Sequence, residues 1–144
     1  MRLNLGCGSR LADGFVNVDI VKMDGVDVVH DLDVLPWPWD DASAVEIVGQ
    51  DVFEHVANPI GFMTEAHRVL EVGGLLRLKS PHWRHRDAFT DPTHKRFCTE
   101  HTWDYWIPGT QLHADHNRAY GGVGFKLETG FIQTGAIFIV LQKI

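Results

Sequence analysis

The stretch Leu3-Asn4-Leu5-Gly6-Cys7-Gly8-Ser9-Arg10 opens as a strand and closes as a bend, and its reading decides the fold. Leu3 and Leu5 flank polar Asn4, the alternation of a half-buried strand. Two glycines around Cys7 then permit a turn that residues with a Cβ resist, and they let another group come close to the main chain.

Four further segments alternate in the same way: Val16-Asn17-Val18, Val26-Asp27-Val28, Val45-Glu46-Ile47 and Leu76-Arg77-Leu78. Between the last two lies a helix signature, with Asn58 as cap, Pro59 at the first position and an apolar stripe of Phe62, Ala66, Val69 and Leu70. Gly73-Gly74 is expected to stop that helix. Residues 98–106 predict a second helix capped by Thr99, and residues 124–132 and 135–144 predict a closing antiparallel pair.

Strands before and after a helix point to an α/β sheet, but fully covered parallel sheets have near-continuous apolar strands. These strands are polar at alternate positions. The first three are also too close in sequence for crossover helices of a dozen or more residues. One sheet face is therefore expected to lack its usual helical cover. The side carrying Asn4, Asn17, Glu46, Arg77 and Lys126 has three open fates: solvation, cover by residues 80–122, or self-association into a homo-oligomer. Burial of all five in an apolar core would contradict this.

With 144 residues, 44% of them hydrophobic, the chain fits one domain with a real core. A net charge of -6 disfavours nucleic acid and anionic membranes as partners and leaves a small molecule. Cys7 and Cys98 are the only cysteines and suggest no disulfide framework, so a cytoplasmic location is expected. No apolar run reaches the roughly 18–20 residues of a membrane span, and neither an export signal nor an anchor is apparent.

Taken in order, the motifs resemble those of the S-adenosylmethionine-dependent methyltransferases with a Rossmann-like fold, in particular their small type 11 branch. LNLGCGS is similar to the first motif, VNVDI to the second strand with its terminal carboxylate, and HDLDVLPW to the acidic residue followed by Leu35-Pro36. QDVFEHV resembles the segment after the fourth strand, and FMTEAHRVLEVGGLLRLKSP the helix and fifth strand. The resemblance implies a single methyltransferase-like domain over 1–144. Residues 1–81 form its cofactor half, 82–122 an acceptor loop and 123–144 the closing strands. The implied fold is α/β, a mostly parallel sheet with an antiparallel C-terminal strand pair and reduced helical cover on one face. The chain departs from the pattern at Arg10, where a third glycine is usual, at Asn4, where an acidic residue is common, and in its short first crossover, which leaves no evident helix N-terminus for a cofactor carboxylate. A nicotinamide site is disfavoured because the third glycine of its fingerprint would fall at Leu11.

S-adenosylmethionine as cofactor then assigns roles. Asp19 accepts the ribose hydroxyls, and Asp31 accepts from adenine N6 while the Leu32 amide reaches the ring. Gly6 and Gly8 admit the ligand to the backbone beside Asn4, and Gln50 and Asp51 stand where the family contacts the methionine amino group. His55 either faces the donor site or fixes the following helix.

The segment from Ser80 to His101 is locally cationic and follows the fifth strand, where α/β sheets place their crevice. Arg84, Arg86, Asp91 and Arg96 are the candidate contacts to a small, anionic acceptor. His82 and His94 are the candidate general bases.

Two alternatives stand beside the enzyme. One is a non-catalytic cofactor-binding or interaction domain of the same fold. The other is a histidine-loop metal-binding protein, since six of the nine histidines fall between His82 and His116. Short spacings at His82/His85 and at His113/His116, with Asp91 and Asp115 as oxygen donors, carry that idea. No cysteine pair or H-E-x-x-H pattern accompanies them, so sequence assigns no metal site.

Overall fold

Alternation along the chain builds seven strands: β1 (Arg2–Leu5), β2 (Val16–Asp19), β3 (Val28–Val29), β4 (Ala44–Gln50), β5 (Leu70–Pro81), β6 (Phe125–Gln133) and β7 (Ala136–Lys143). In the computed structural model, which describes residues 1–144, they form one sheet in the order β3-β2-β1-β4-β5-β7-β6. The first five strands pair in parallel, and β7 runs antiparallel to both β5 and β6. Thr134 and Gly135, both with positive φ, close the β6–β7 hairpin in the two-residue manner that matches strand twist.

The register aligns Leu3, Ile47, Leu76 and Leu141 across the sheet, and all four are fully buried on one face. Helix α1 (Pro59–Val69) covers that face with Phe62, Met63, Ala66 and Val69. Asn58 caps it as expected, its side chain accepting the Gly61 amide. Trp37, Phe53, Trp103 and Trp106 complete the same core. Glu65 on α1 accepts the Trp37 amide and two guanidinium N–H groups of Arg68, which also reaches the Trp37 and Trp39 carbonyls and Asp41. That network moors the β3–β4 connection on the helix.

Two local expectations fail. The glycine pair does not end α1: β5 begins at Leu70, directly after Val69, and Gly73 at φ +85° lies in the extra loop between the Ala44↔Leu70 and Glu46↔Leu75 pairs. Nor do residues 98–106 make an α-helix; only a 3-10 turn forms at Asp104–Trp106, because Trp103 and Trp106 are both drawn into the core. Short helices α2 (Asp87–Thr90) and α3 (Gln111–His116) had no clear signature.

The opposite face bears out the reduced cover. Glu46 is half-buried, and Arg77 and Lys126 are exposed. Asn4 and Asn17 are buried, but within a polar network: Asn4 donates to Asn17 Oδ1 and to the Arg10 carbonyl, and Asn17 Oδ1 also accepts the Ala12 amide. Their cover is the short β1–β2 connection. Residues 80–122 pack instead with α1, as Cys98, Trp103, Trp106 and Ile107 in the core demonstrate. No helix is long and apolar enough to cross a membrane.

Candidate functional site

The parallel strands β1, β2 and β4 end side by side, and the bend after β1 meets the end of β2 directly. Gly8 at φ +50° donates its amide to Asp19 Oδ2 at 2.8 Å, and the Val21 amide binds Oδ1 at 3.0 Å. A Cβ on Gly8 would meet open space, whereas one on Gly6 would fall 2.6 Å from Val52 Cγ2. The two glycines thus serve different ends: Gly6 lines the cleft and makes room for the protein's own Val52, and Gly8 holds the Asp19 carboxylate through its amide.

That cleft, of ≈210 Å³, is lined by Gly6, Val18, Asp19, Asp31, Leu32 and Val52, among others. Asp31 uses Oδ1 to accept the Asp33 amide. Its neighbour Asp33 is committed, accepting the Ala57 and Asn58 amides and pairing with Lys95 at 3.6 Å. Burial opposes ionisation of Asp33, yet those amides and Lys95 together hold its carboxyl below the usual range. Asp31 is therefore the carboxylate with an oxygen to spare. Exposed Ile20 and half-buried His30 also reach this cleft, apolar and aromatic surface with no pattern around it to flag it in the sequence.

Arg10 crosses from the bend to the end of β4. It donates to the Gln50 carbonyl at 2.8 Å and lies 3.5 Å from Asp51, which takes a closer ion pair from Lys79. A neighbouring depression of ≈410 Å³ beside Gly6 is lined by Asn4, Arg10 and Gln50 among others. Asn4 contributes there by holding the bend, since its amide is spent on Arg10 and Asn17. Asp51 sits at φ +54°, a conformation that costs a non-glycine residue energy and that clusters at functional positions.

A larger cleft of ≈640 Å³ opens beyond β4 and β5, lined by Asp51, Glu54, His55, Lys79, Asp91 and His94 among others. Lys95 donates its amide to the Glu54 carbonyl, and Arg96 donates to the Phe53 carbonyl while lying over the Phe53 ring. These bonds pin the loop against the turn after β4, bringing the His55 and His94 rings to 4.7 Å between centroids. Glu54 is 1% exposed; its Oε2 accepts the Ser80 hydroxyl, and its Oε1 has no partner in the protein. Burial pushes its carboxyl up from the ordinary value.

Several expected residues lie elsewhere. His82 is buried, with Nε2 3.1 Å from Glu100 and Nδ1 accepting the Arg84 amide, so it braces the loop rather than lining the cleft. Arg84 stacks on Trp83, Arg86 points into solvent beside Asp87, and Arg96 is tied to the backbone. Of the four acceptor contacts read from sequence, only Asp91 lines the cleft, whose wall carries four carboxylates against one lysine. The cationic character of the segment is real in composition, but Arg84, Arg86 and Arg96 do not line this cleft. His113 and His116, on α3, do not line this cleft either.

A family model described as "methyltransferase domain" matches residues 3–78, just over half of the chain, and the chain belongs to that family. Its cofactor is S-adenosylmethionine. Among solved structures, an S-adenosylmethionine-dependent methyltransferase from Mesorhizobium loti is similar at 15% identity and a TM-score of 0.65, over 99% of this chain and 90% of that one. A methyltransferase from Thermotoga maritima, described as a possible histamine N-methyltransferase, matches at 17% identity and 0.68, over 99% and 82%. The [4+2]-cyclase SpnF matches at 14% and 0.67, over 99% and 73%, so the shared fold does not by itself specify the reaction. No curated protein matches the chain significantly.

Proposed function

We propose that the protein transfers a methyl group from S-adenosylmethionine to a small, non-anionic acceptor seated in the larger cleft. One observation carries this reading: His55 lines both clefts, so a nucleoside beside Asp19 and an acceptor beside His94 would meet at a single point.

The donor set fits the cofactor. Asp19 retains lone-pair capacity on both oxygens for the ribose hydroxyls, and the second oxygen of Asp31 accepts the adenine amino group. Val18, Leu32, Val52 and Val56 supply apolar walls. Because ≈210 Å³ is below the roughly 300–1,000 Å³ of whole-ligand sites, this cleft takes the nucleoside and leaves the amino-acid tail to the neighbouring depression. There Arg10 faces the tail carboxylate, standing in for the helix N-terminus that the short crossover lacks, and Gln50 faces its ammonium, with Asp51 on the adjoining wall of the larger cleft as its counter-charge. When bound, S-adenosylmethionine supplies an electrophilic methyl carbon whose sulfur departs as a neutral thioether.

The chain's own task is positioning, worth roughly 7–11 kcal/mol when reacting groups are well oriented. His94 donates Nδ1–H to the Ala88 carbonyl at 2.9 Å, which leaves Nε2 bare to take the proton that the acceptor's nucleophile sheds. Such general-base assistance is worth about 10²- to 10⁴-fold. The acidic lining selects neutral or cationic acceptors.

A screen of small amines, alcohols, phosphates and carboxylates, read as S-adenosylhomocysteine formed by the purified protein, tests this. Turnover confined to amines or alcohols supports the reading. Turnover only with anionic acceptors, or with none of the panel, counts against it.

A further inference from the structure

We propose that Glu54, His55 and His94 form a binding site for a divalent transition-metal ion of the zinc type, open on one side to the larger cleft. One carboxylate oxygen and one ring nitrogen from each histidine already lie within 4.8 Å of one another. Ligands sharing a zinc ion at 2.0–2.2 Å stand about 3.4 Å apart, so small side-chain rotations close the remaining gap.

The hydrogen bonds around the cluster prepare each ligand atom. The Ala88 carbonyl can only accept, so it fixes the proton of His94 on Nδ1 and bares Nε2. At His55, the Thr93 hydroxyl donates to Asp91 Oδ1 at 2.7 Å and must therefore accept from His55 Nδ1, 2.9 Å away. That again bares Nε2. Ser80 engages one oxygen of Glu54 and leaves the other buried and unpartnered, in a carboxylate that has an oxygen within 4.8 Å of a nitrogen of each imidazole. A carbonyl or carboxylate relay behind each ligating histidine is the arrangement that orients metal ligands and raises their basicity.

Charge and donor type agree. A buried polar oxygen with no partner is costly, and a cation would satisfy it. Two imidazoles with one carboxylate suit zinc, iron, cobalt or nickel, whereas magnesium and calcium prefer all-oxygen sites. Three protein ligands leave a coordination position for a ligand from the cleft.

The site also deepens the methyl-transfer reading, resting on it only for this consequence. In the loaded protein His94 holds the ion, and lowering the acceptor's pKa passes from the imidazole to the metal. The acceptor is then one that places a hydroxyl oxygen on the ion, loses its proton to water and presents the resulting oxyanion to the methyl group.

The test is Zn²⁺ titration of tag-free, chelator-treated protein by calorimetry, with Co²⁺ absorption as a second readout and no methyl donor present, so its failure leaves the methyltransferase reading untouched. One equivalent should bind, with visible Co²⁺ ligand-field bands. Glu54→Gln and His94→Gln should each abolish saturable binding, and Thr93→Ala should weaken it about 10-fold or more by releasing His55. His113→Gln should bind like the parent. Heteronuclear NMR of the unmodified protein covers variants that fail to fold: Zn²⁺ should shift Nε2 of His55 and His94 but not that of His82. Absence of saturable binding, shifts confined to other histidines, or full binding by a folded Glu54→Gln/His94→Gln variant would overturn the assignment.

Discussion

The Gly8 amide donates to Asp19 Oδ2 at 2.8 Å, joining the bend after β1 and the carboxylate that ends β2 into one wall. Everything assigned to the nucleoside depends on this adjacency. Together with the Val21 amide on Oδ1, the bond orients Asp19 through one lone pair per oxygen and leaves the rest for a ligand.

The two glycines of the bend should respond differently to the same substitution. Gly6→Ala must accommodate both φ +60° and a Cβ 2.6 Å from Val52, and should cost at least about 2 kcal/mol by urea denaturation. Gly8→Ala meets only the backbone penalty of about 1–2 kcal/mol and should stay folded, while strain at the amide that holds Asp19 lowers affinity for S-adenosylhomocysteine. Equal stability losses would contradict this division.

Arg10 is expected to act on the tail of the cofactor. Replacing it by Ala should weaken S-adenosylmethionine binding by about 10-fold, roughly 1.4 kcal/mol, and reduce the dependence of binding on salt. Adenosine, which lacks the tail, should bind both proteins alike in equilibrium dialysis.

Glu65 gives the fold an acid-sensitive joint. Hydrogen bonds from Arg68 hold its carboxyl below the ordinary range, with burial opposing and the Trp37 amide assisting. A depressed folded value means that the stabilisation is present above the unfolded value of about 4.3 and is lost as pH falls through the lowered folded value. Glu65→Gln should cost about 2–3 kcal/mol at pH 7, and its deficit should shrink as melting is followed below pH 4.3.

Neither thiol should react in the native state. Burial raises the Cys7 thiol and pushes that of Cys98 up to about 12, and both side chains are 1% exposed. Ellman's reagent should therefore titrate two thiols in denaturant and none in buffer.

Much of the sheet was legible because alternation, helix capping and glycine bends are local. The Asn58 cap, the closing hairpin and the carboxylate ending β2 each needed only a few neighbouring residues. Gly73-Gly74 misled because a positive-φ glycine serves a strand irregularity as well as a helix end. Trp103 and Trp106 misled because the core overrode the helical spacing. The arginines failed for another reason: composition counts charges, but Arg96 turns inward onto the Phe53 carbonyl and Arg86 outward into water. The Glu54-His55-His94 cluster joins a turn to a loop some 40 residues later, a distance over which sequence spacing carries no geometry.

The most direct test of the central assignment is titration calorimetry of S-adenosylmethionine and S-adenosylhomocysteine against the parent protein and Asp19→Ala, with melting followed in parallel. The parent should bind both, with stabilisation of about 2.7 kcal/mol at ligand 100 times Kd and a melting shift of several degrees. Asp19→Ala should keep its circular dichroism spectrum and lose both effects. Failure of the parent to bind either ligand at millimolar concentration, or unchanged binding by the variant, would contradict the account.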